Sequence, residues 1–101
     1  MEKPQSPALV QLRKQIDAAD KSLVALLVRR MAIVDQIITV KKAQGLPSAI
    51  PDRIEHVVKT VRAEALAQNY SPDIAEKLWR ILIAETIRYE ENALTKDQSR
   101  K

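Results

Sequence analysis

Arg30 stands where helical periodicity calls for a leucine. Counting by alternating threes and fours, Leu9, Leu12, Ile16, Ala19, Leu23, Leu26, Arg30, Ile33, Ile37 and Val40 form one apolar seam of 3.5-residue period. A guanidinium in such a seam needs an anionic partner. Either Arg30 pairs with an internal carboxylate, or the seam opens there onto a pocket for an anion. The plain alternative is a structural ion pair or a snorkelling arginine at the seam's edge. Other cations favour the pocket. Lys41 lies 11 residues further on, which at about 100° per residue returns to within about 20° of the same face. Arg53 follows a loop and can close over the same space. Arg13 lies 17 residues before Arg30, about 25 Å away along a helix. It reaches that pocket only from a second, antiparallel copy whose two-fold axis crosses near residue 24. Arginine suits bidentate carboxylate binding, so the joint geometry makes a pocket for an anion attractive. Each cation taken alone reads as a solvated surface charge.

Glu90 is misplaced in the opposite sense. Trp79, Ile83, Thr86, Glu90 and Leu94 make a stripe at helical spacing, with Ile87 beside it. Desolvation on that stripe favours the protonated, hydrogen-bond-donating form of Glu90, and neighbouring cations oppose it. In the plain reading Glu90 is an ionised partner of Arg30 or Arg53. Glu85 lies off the stripe and reads as solvated. His56, the sole histidine, falls opposite Ile54 and reads as a surface residue. With no cysteine and no second histidine it makes no metal site. The sequence has no Ser-His-Asp set, no Gly-rich phosphate loop and no cofactor motif.

The elements that must position these side chains are helices. Ser6-Pro7 gives an N-cap followed by proline at the first helical position. Asp52-Arg53-Ile54-Glu55 reads as a capping box. Ser71-Pro72-Asp73 repeats the Ser-Pro start and adds an acid in the first turn. The expected helices run over 7–43, 53–68 and 72–95. The second has Ile54, Val57, Val58, Val61 and Ala65 as its apolar face. The segment GLPSAIP, residues 45–51, holds the only glycine and two prolines, and the loop at 43–51 is expected to be mobile when empty and ordered over bound ligand. Residues 1–6 and 96–101 are expected to fray. The first helix is expected to be about 54 Å long, against a radius of gyration of about 13 Å for a compact domain of this size. Two shorter helices cannot cover so long a seam, so a homodimer with the first helix paired antiparallel is the economical closure.

Composition agrees with an all-α chain of one domain, residues 1–101. There is no Phe, one Trp and one Gly among 101 residues, and helix formers dominate. The absence of cysteine fits a reducing compartment. The opening MEKPQSPALV lacks an apolar signal core and no segment approaches 18 apolar residues, so a soluble cytoplasmic protein without membrane contact is expected. The net charge is +4, but the charges are mixed and lack aromatic interleaving, which argues against nucleic acid. A mild positive excess equally suits a small anionic substrate.

The segments LRKQIDAADKSLVALLVRRM, Lys41, PDRIEHV and LWRILIAETIRYEENAL resemble the all-α chorismate mutases, above all their isochorismate-pyruvate lyase branch, which makes salicylate. The resemblance spans residues 9 to 94. It implies an intertwined helical homodimer with two shared active sites, three helices per chain, and no cofactor or metal. Arg13 matches the arginine donated by the other subunit. Arg30 and Lys41 match the cations that hold the substrate carboxylates, Lys41 also reaching the ether oxygen. Arg53 matches a loop-proximal arginine. Glu90 matches the position, Gln in many members and Glu in some, that hydrogen-bonds that oxygen. Thr86 matches a small hydroxylated position near a carboxylate, and Ile54 and Ile87 join as apolar contacts to substrate. Ile54 stands where typical mutases have a glutamate for the substrate hydroxyl, and Ile50 where they often have an aspartate. Those departures suit the lyase, whereas the loop from Lys41 to Arg53 matches the mutase length better. The implied chemistry is pericyclic: a dianion is held in a compact conformer while charge builds on a breaking ether bond. The expected function is therefore isochorismate-pyruvate lyase with chorismate mutase activity. The alternatives are a dedicated chorismate mutase, an amino-chorismate mutase, or a non-catalytic helical dimerisation or nucleic-acid module. Arg30→Leu separates the last class: a plain seam tolerates it, and an active site does not.

Overall fold

The computed structural model describes residues 6–99, with side chains through residue 95. Three helices and no strand are present among them: α1 Pro7–Gln44, α2 Pro51–Ala67 and α3 Pro72–Ser99. The fold is all-α, as expected. The fraying expected of residues 1–6 and 96–101 falls largely outside the described residues. Where the backbone is described, Ser6 caps α1 and α3 stays helical to Ser99.

Both Ser-Pro starts form as the sequence indicates. Ser6 Oγ accepts the Leu9 N–H at 3.0 Å, and Ser71 Oγ accepts the Ile74 N–H at 3.2 Å, each satisfying an amide the helix leaves unpaired. The start of α2 differs from the capping box expected at Asp52. The N-cap is Ile50, in extended conformation and without a side-chain cap bond, and Pro51 takes the first helical position. Proline's fixed φ is already helical, so it begins the helix ahead of Asp52, which falls in the first turn. Glu55, the other half of the expected box, instead binds Arg80 on α3.

Two helices end in the same way. Gly45 has φ +67° and Asn69 has φ +61°. The Leu46 N–H reaches the Lys41 carbonyl at 2.9 Å, and the Tyr70 N–H reaches that of Ala65 at 2.8 Å. Each is the 6→1 bond of a Schellman cap, which needs a residue that tolerates the left-handed region.

The chain divides into two compact units, ending and beginning at Ile33 and Val34. The first contains the part of α1 up to Ile33. Its apolar residues face solvent in the single chain: Leu12 is 55% and Ile16 60% exposed, and Leu23, Leu26 and Ile33 are exposed as well. The second unit holds the end of α1 with α2 and α3. A short connection at 68–71 turns α2 back against α3. Val58 and Ala65 of α2 and Ala75 and Ile83 of α3 are buried, and the end of α1 adds Val34 and Ile38. The apolar face expected for α2 is the one turned inward, with Ile54, Val57 and Val61 half-buried beside Val58 and Ala65. Across α2 and α3 runs a chain of ion pairs. Arg62 binds Asp73 at 3.0 Å and Glu76 at 2.9 Å, and Arg80 binds Glu76 at 2.7 Å and Glu55 at 3.0 Å.

Candidate active site

One charged cluster lies inside the second unit. Glu90 is 5% exposed, the only polar or charged residue buried to that degree among the described residues. Helical spacing puts it on the face of α3 that carries Ala75 and Ile83, and its environment is the apolar one that the stripe predicts. Lys41, three residues before the end of α1, reaches it: Nζ donates to Glu90 Oε1 at 2.7 Å. The same ammonium donates to the Ser48 carbonyl at 2.9 Å. The two side chains are 12% and 7% exposed. The sequence had pointed to Arg30 or Arg53 as the cation for Glu90, and Lys41 is the one that binds Oε1. A lysine near the end of a helix can extend across the following loop, and here it ties that loop to α3. Gly45 and its cap turn the chain so that Ser48 comes back over Lys41.

Around this pair the other expected residues sort themselves. Thr86 and Ile87 lie one turn before Glu90 on α3 and are half-buried. The Thr86 hydroxyl donates to the Leu82 carbonyl at 2.8 Å, a back-bond within the helix. Ile54 is half-buried near the start of α2, and Arg53 beside it is exposed. In the first unit Arg13 is exposed and Arg30 half-buried. Glu85 and His56 are both exposed, as expected. A shallow groove on α1 lined by Asp17, Asp20, Lys21, Val24 and Ala25 contains none of the expected substrate ligands. Among the described residues no group of three or more His, Cys, Asp or Glu side chains is placed to hold a metal ion. No buried side-chain nitrogen or oxygen there lacks a partner.

The sequence reading missed a second bond from α3 to the end of α1. The Tyr89 hydroxyl donates to Asp35 Oδ1 at 2.6 Å. That hydrogen bond and the negative charge of Asp35 hold the Tyr89 phenol above its usual pKa. Neither residue interrupts a periodic pattern, so no one-dimensional signal marks them.

Comparison with known proteins agrees with the all-α fold. Residues 12–91 match the chorismate mutase type II family. This chain belongs to that family. The matched region includes Arg13, Arg30, Lys41, Arg53 and Glu90. Among curated proteins the chain is 37% identical to the T-protein of Enterobacter agglomerans over 78 residues, covering 77% of this chain and 21% of that protein. It is 34% identical to the T-protein of Haemophilus influenzae over 79 residues, covering 78% and 21%. It is 24% identical to the chorismate mutase of Methanocaldococcus jannaschii over 92 residues, covering 91% and 93%. The chain thus spans about a fifth of the length of the two T-proteins and nearly all of the archaeal mutase. Among the described residues, no helix is long and apolar enough to cross a membrane.

Proposed function

We propose that this chain is a chorismate mutase that rearranges chorismate to prephenate without cofactor or metal. The observation that carries the reading is the ammonium of Lys41, withdrawn from solvent and held from two sides by Glu90 and the Ser48 carbonyl. An ammonium has three donor hydrogens, and these bonds use two. The third serves the ether oxygen, where negative charge grows as the bond breaks. A cation fixed in place before the reaction stabilises that charge without reorganising. Glu90, accepting from Lys41, holds the donor. The family resemblance assigns the substrate carboxylates to Arg30 and Lys41, with Arg13 donated by a second copy and Arg53, Thr86, Ile54 and Ile87 as further contacts. The exposed apolar residues of α1 support a homodimer, because Leu12, Ile16, Leu23 and Leu26 have no cover in a single chain. A cytoplasmic location is part of the same reading and rests on the cysteine-free composition.

One observation favours a second reading, the isochorismate-pyruvate lyase. Ile54 is half-buried and apolar where the resemblance calls for a glutamate that binds the C4 hydroxyl of chorismate. Purified protein given chorismate and isochorismate separately, with prephenate, salicylate and pyruvate measured, tests both. Prephenate from chorismate supports the mutase, and salicylate with pyruvate from isochorismate supports the lyase. Turnover of neither overturns the enzymatic reading.

A further inference from the structure

We infer that Asp35 and Tyr89 are positioning residues, which set the end of α1 against α3 so that Lys41 Nζ meets Glu90. The side-chain bonds that join these segments include a part-buried one and an exposed one. Lys41 donates to Glu90 at 2.7 Å, and Tyr89 donates to Asp35 at 2.6 Å. On α3 the two bonds start from adjacent residues. On α1 they end six residues apart, about 9 Å along the axis. Neighbouring points on one helix are thereby tied to well-separated points on the other. A single bond would leave α3 free to swing about it and α1 free to slide by a fraction of a turn. Together the bonds fix both motions. Between the two anchors on α1 lies Ile38, buried, at i+3 from Asp35 and i−3 from Lys41, with buried Val34 next to Asp35. Burial of apolar side chains there tolerates small slips, so the directional bonds set the register.

Asp35 and Tyr89 lie on the exposed side of this contact, so their removal leaves the core intact. The bond itself is short and charge-assisted, the stronger kind. A reacting group displaced by a fraction of an ångström loses rate without losing substrate affinity.

The kinetic arm of the test rests on the mutase or lyase reading, and a second arm does not. In the kinetic arm, Tyr89→Phe and Asp35→Ala each lower kcat by about 3–10-fold, the value of one such hydrogen bond, with KM little changed. The double variant is no worse than either single one. Asp35→Asn keeps an acceptor oxygen and restores most of the rate. In the second arm, the stability coupling between Lys41 and Glu90 is measured by a double-mutant cycle of Lys41→Met and Glu90→Gln. That coupling shrinks when the cycle is repeated in the Tyr89→Phe background. Unchanged kcat in an active enzyme, or unchanged coupling, overturns the inference. A wild-type protein that turns over neither substrate overturns the functional reading, and the coupling then decides the positioning alone.

Discussion

Replacing Glu90 separates two roles that its position allows. As a protonated acid it would donate to the ether oxygen of the substrate. As a carboxylate it accepts from Lys41, which is the bond observed at 2.7 Å. At that distance the gross attraction is about 6 kcal/mol with an effective dielectric constant of about 20. Desolvation of both ions offsets most of it, because the side chains are only 12% and 7% exposed. The measurable quantity is the cost of breaking the pair, about 3–5 kcal/mol when one partner is removed and a buried charge is left alone. Glu90→Ala is expected to fall in that range. Glu90→Gln keeps an oxygen that accepts from Lys41 and loses only the charge. The loss is then the difference between a charged and a neutral hydrogen bond, about 1–2 kcal/mol. For a chain of this size each kcal/mol moves the melting temperature by about 4–8 °C. Thermal and urea melts at one fixed protein concentration measure both variants, since an oligomer's stability depends on concentration. In the same samples kcat for Glu90→Gln is expected to fall, because Lys41 loses part of its anchor. A Gln variant as stable as wild type, with an equal or higher rate, would show that Glu90 works as a donor and that the ion pair is not its role.

Three further outcomes follow from other parts of the molecule. Arg80 beside Glu55 and Glu76 holds both carboxylates below the usual range. Their contribution to stability is therefore present above the ordinary carboxylate pKa of about 4.3 and is lost as pH falls through their own lower values; Arg80→Leu should remove part of that acid-range slope in urea melts from pH 6 down to about 2. Gly45 has φ +67° with open space around the missing Cβ, so Gly45→Ala pays only in backbone conformation and should destabilise by about 1 kcal/mol in the same melts. If sites are shared between chains, inactive Arg13→Ala and Arg30→Ala proteins, mixed and re-equilibrated, should regain activity at about one working site per mixed dimer; no recovery, with mixed dimers confirmed by mass, would place both arginines in one chain's site.

The parts of the fold legible in the sequence are those set by local chemistry. Ser6 and Ser71 each precede a proline, and both cap as written. The face of α2 from Ile54 to Ala65 and the stripe of α3 through Ile83 and Glu90 follow from helical spacing and are the faces turned inward. The start of α2 was misplaced because Asp52 and Glu55 fit a capping box while Pro51 fits the first helical position. The proline decides, and it leaves Glu55 available for Arg80. The Asp35–Tyr89 bond was illegible for another reason. Its partners are separated by 54 positions, and each is unremarkable on its own helix.

The same distinction holds at the candidate site. Periodicity identified Lys41 and Glu90 separately, as a cation on a shared face and as an acid on an apolar stripe. What joins them is a direct bond between the end of α1 and α3, and the turn after Gly45 aims a backbone carbonyl at the same ammonium. A carbonyl has no side-chain signature, so Ser48 could not be found by residue type. Its presence changes the chemistry inferred from the sequence alone. Cations waiting for a dianion would repel one another in its absence, and such a pocket would open. Lys41 is already paired with Glu90 and braced by Ser48. Under the proposed function, substrate would compete for only the third donor, at a cation already held by Glu90 and Ser48.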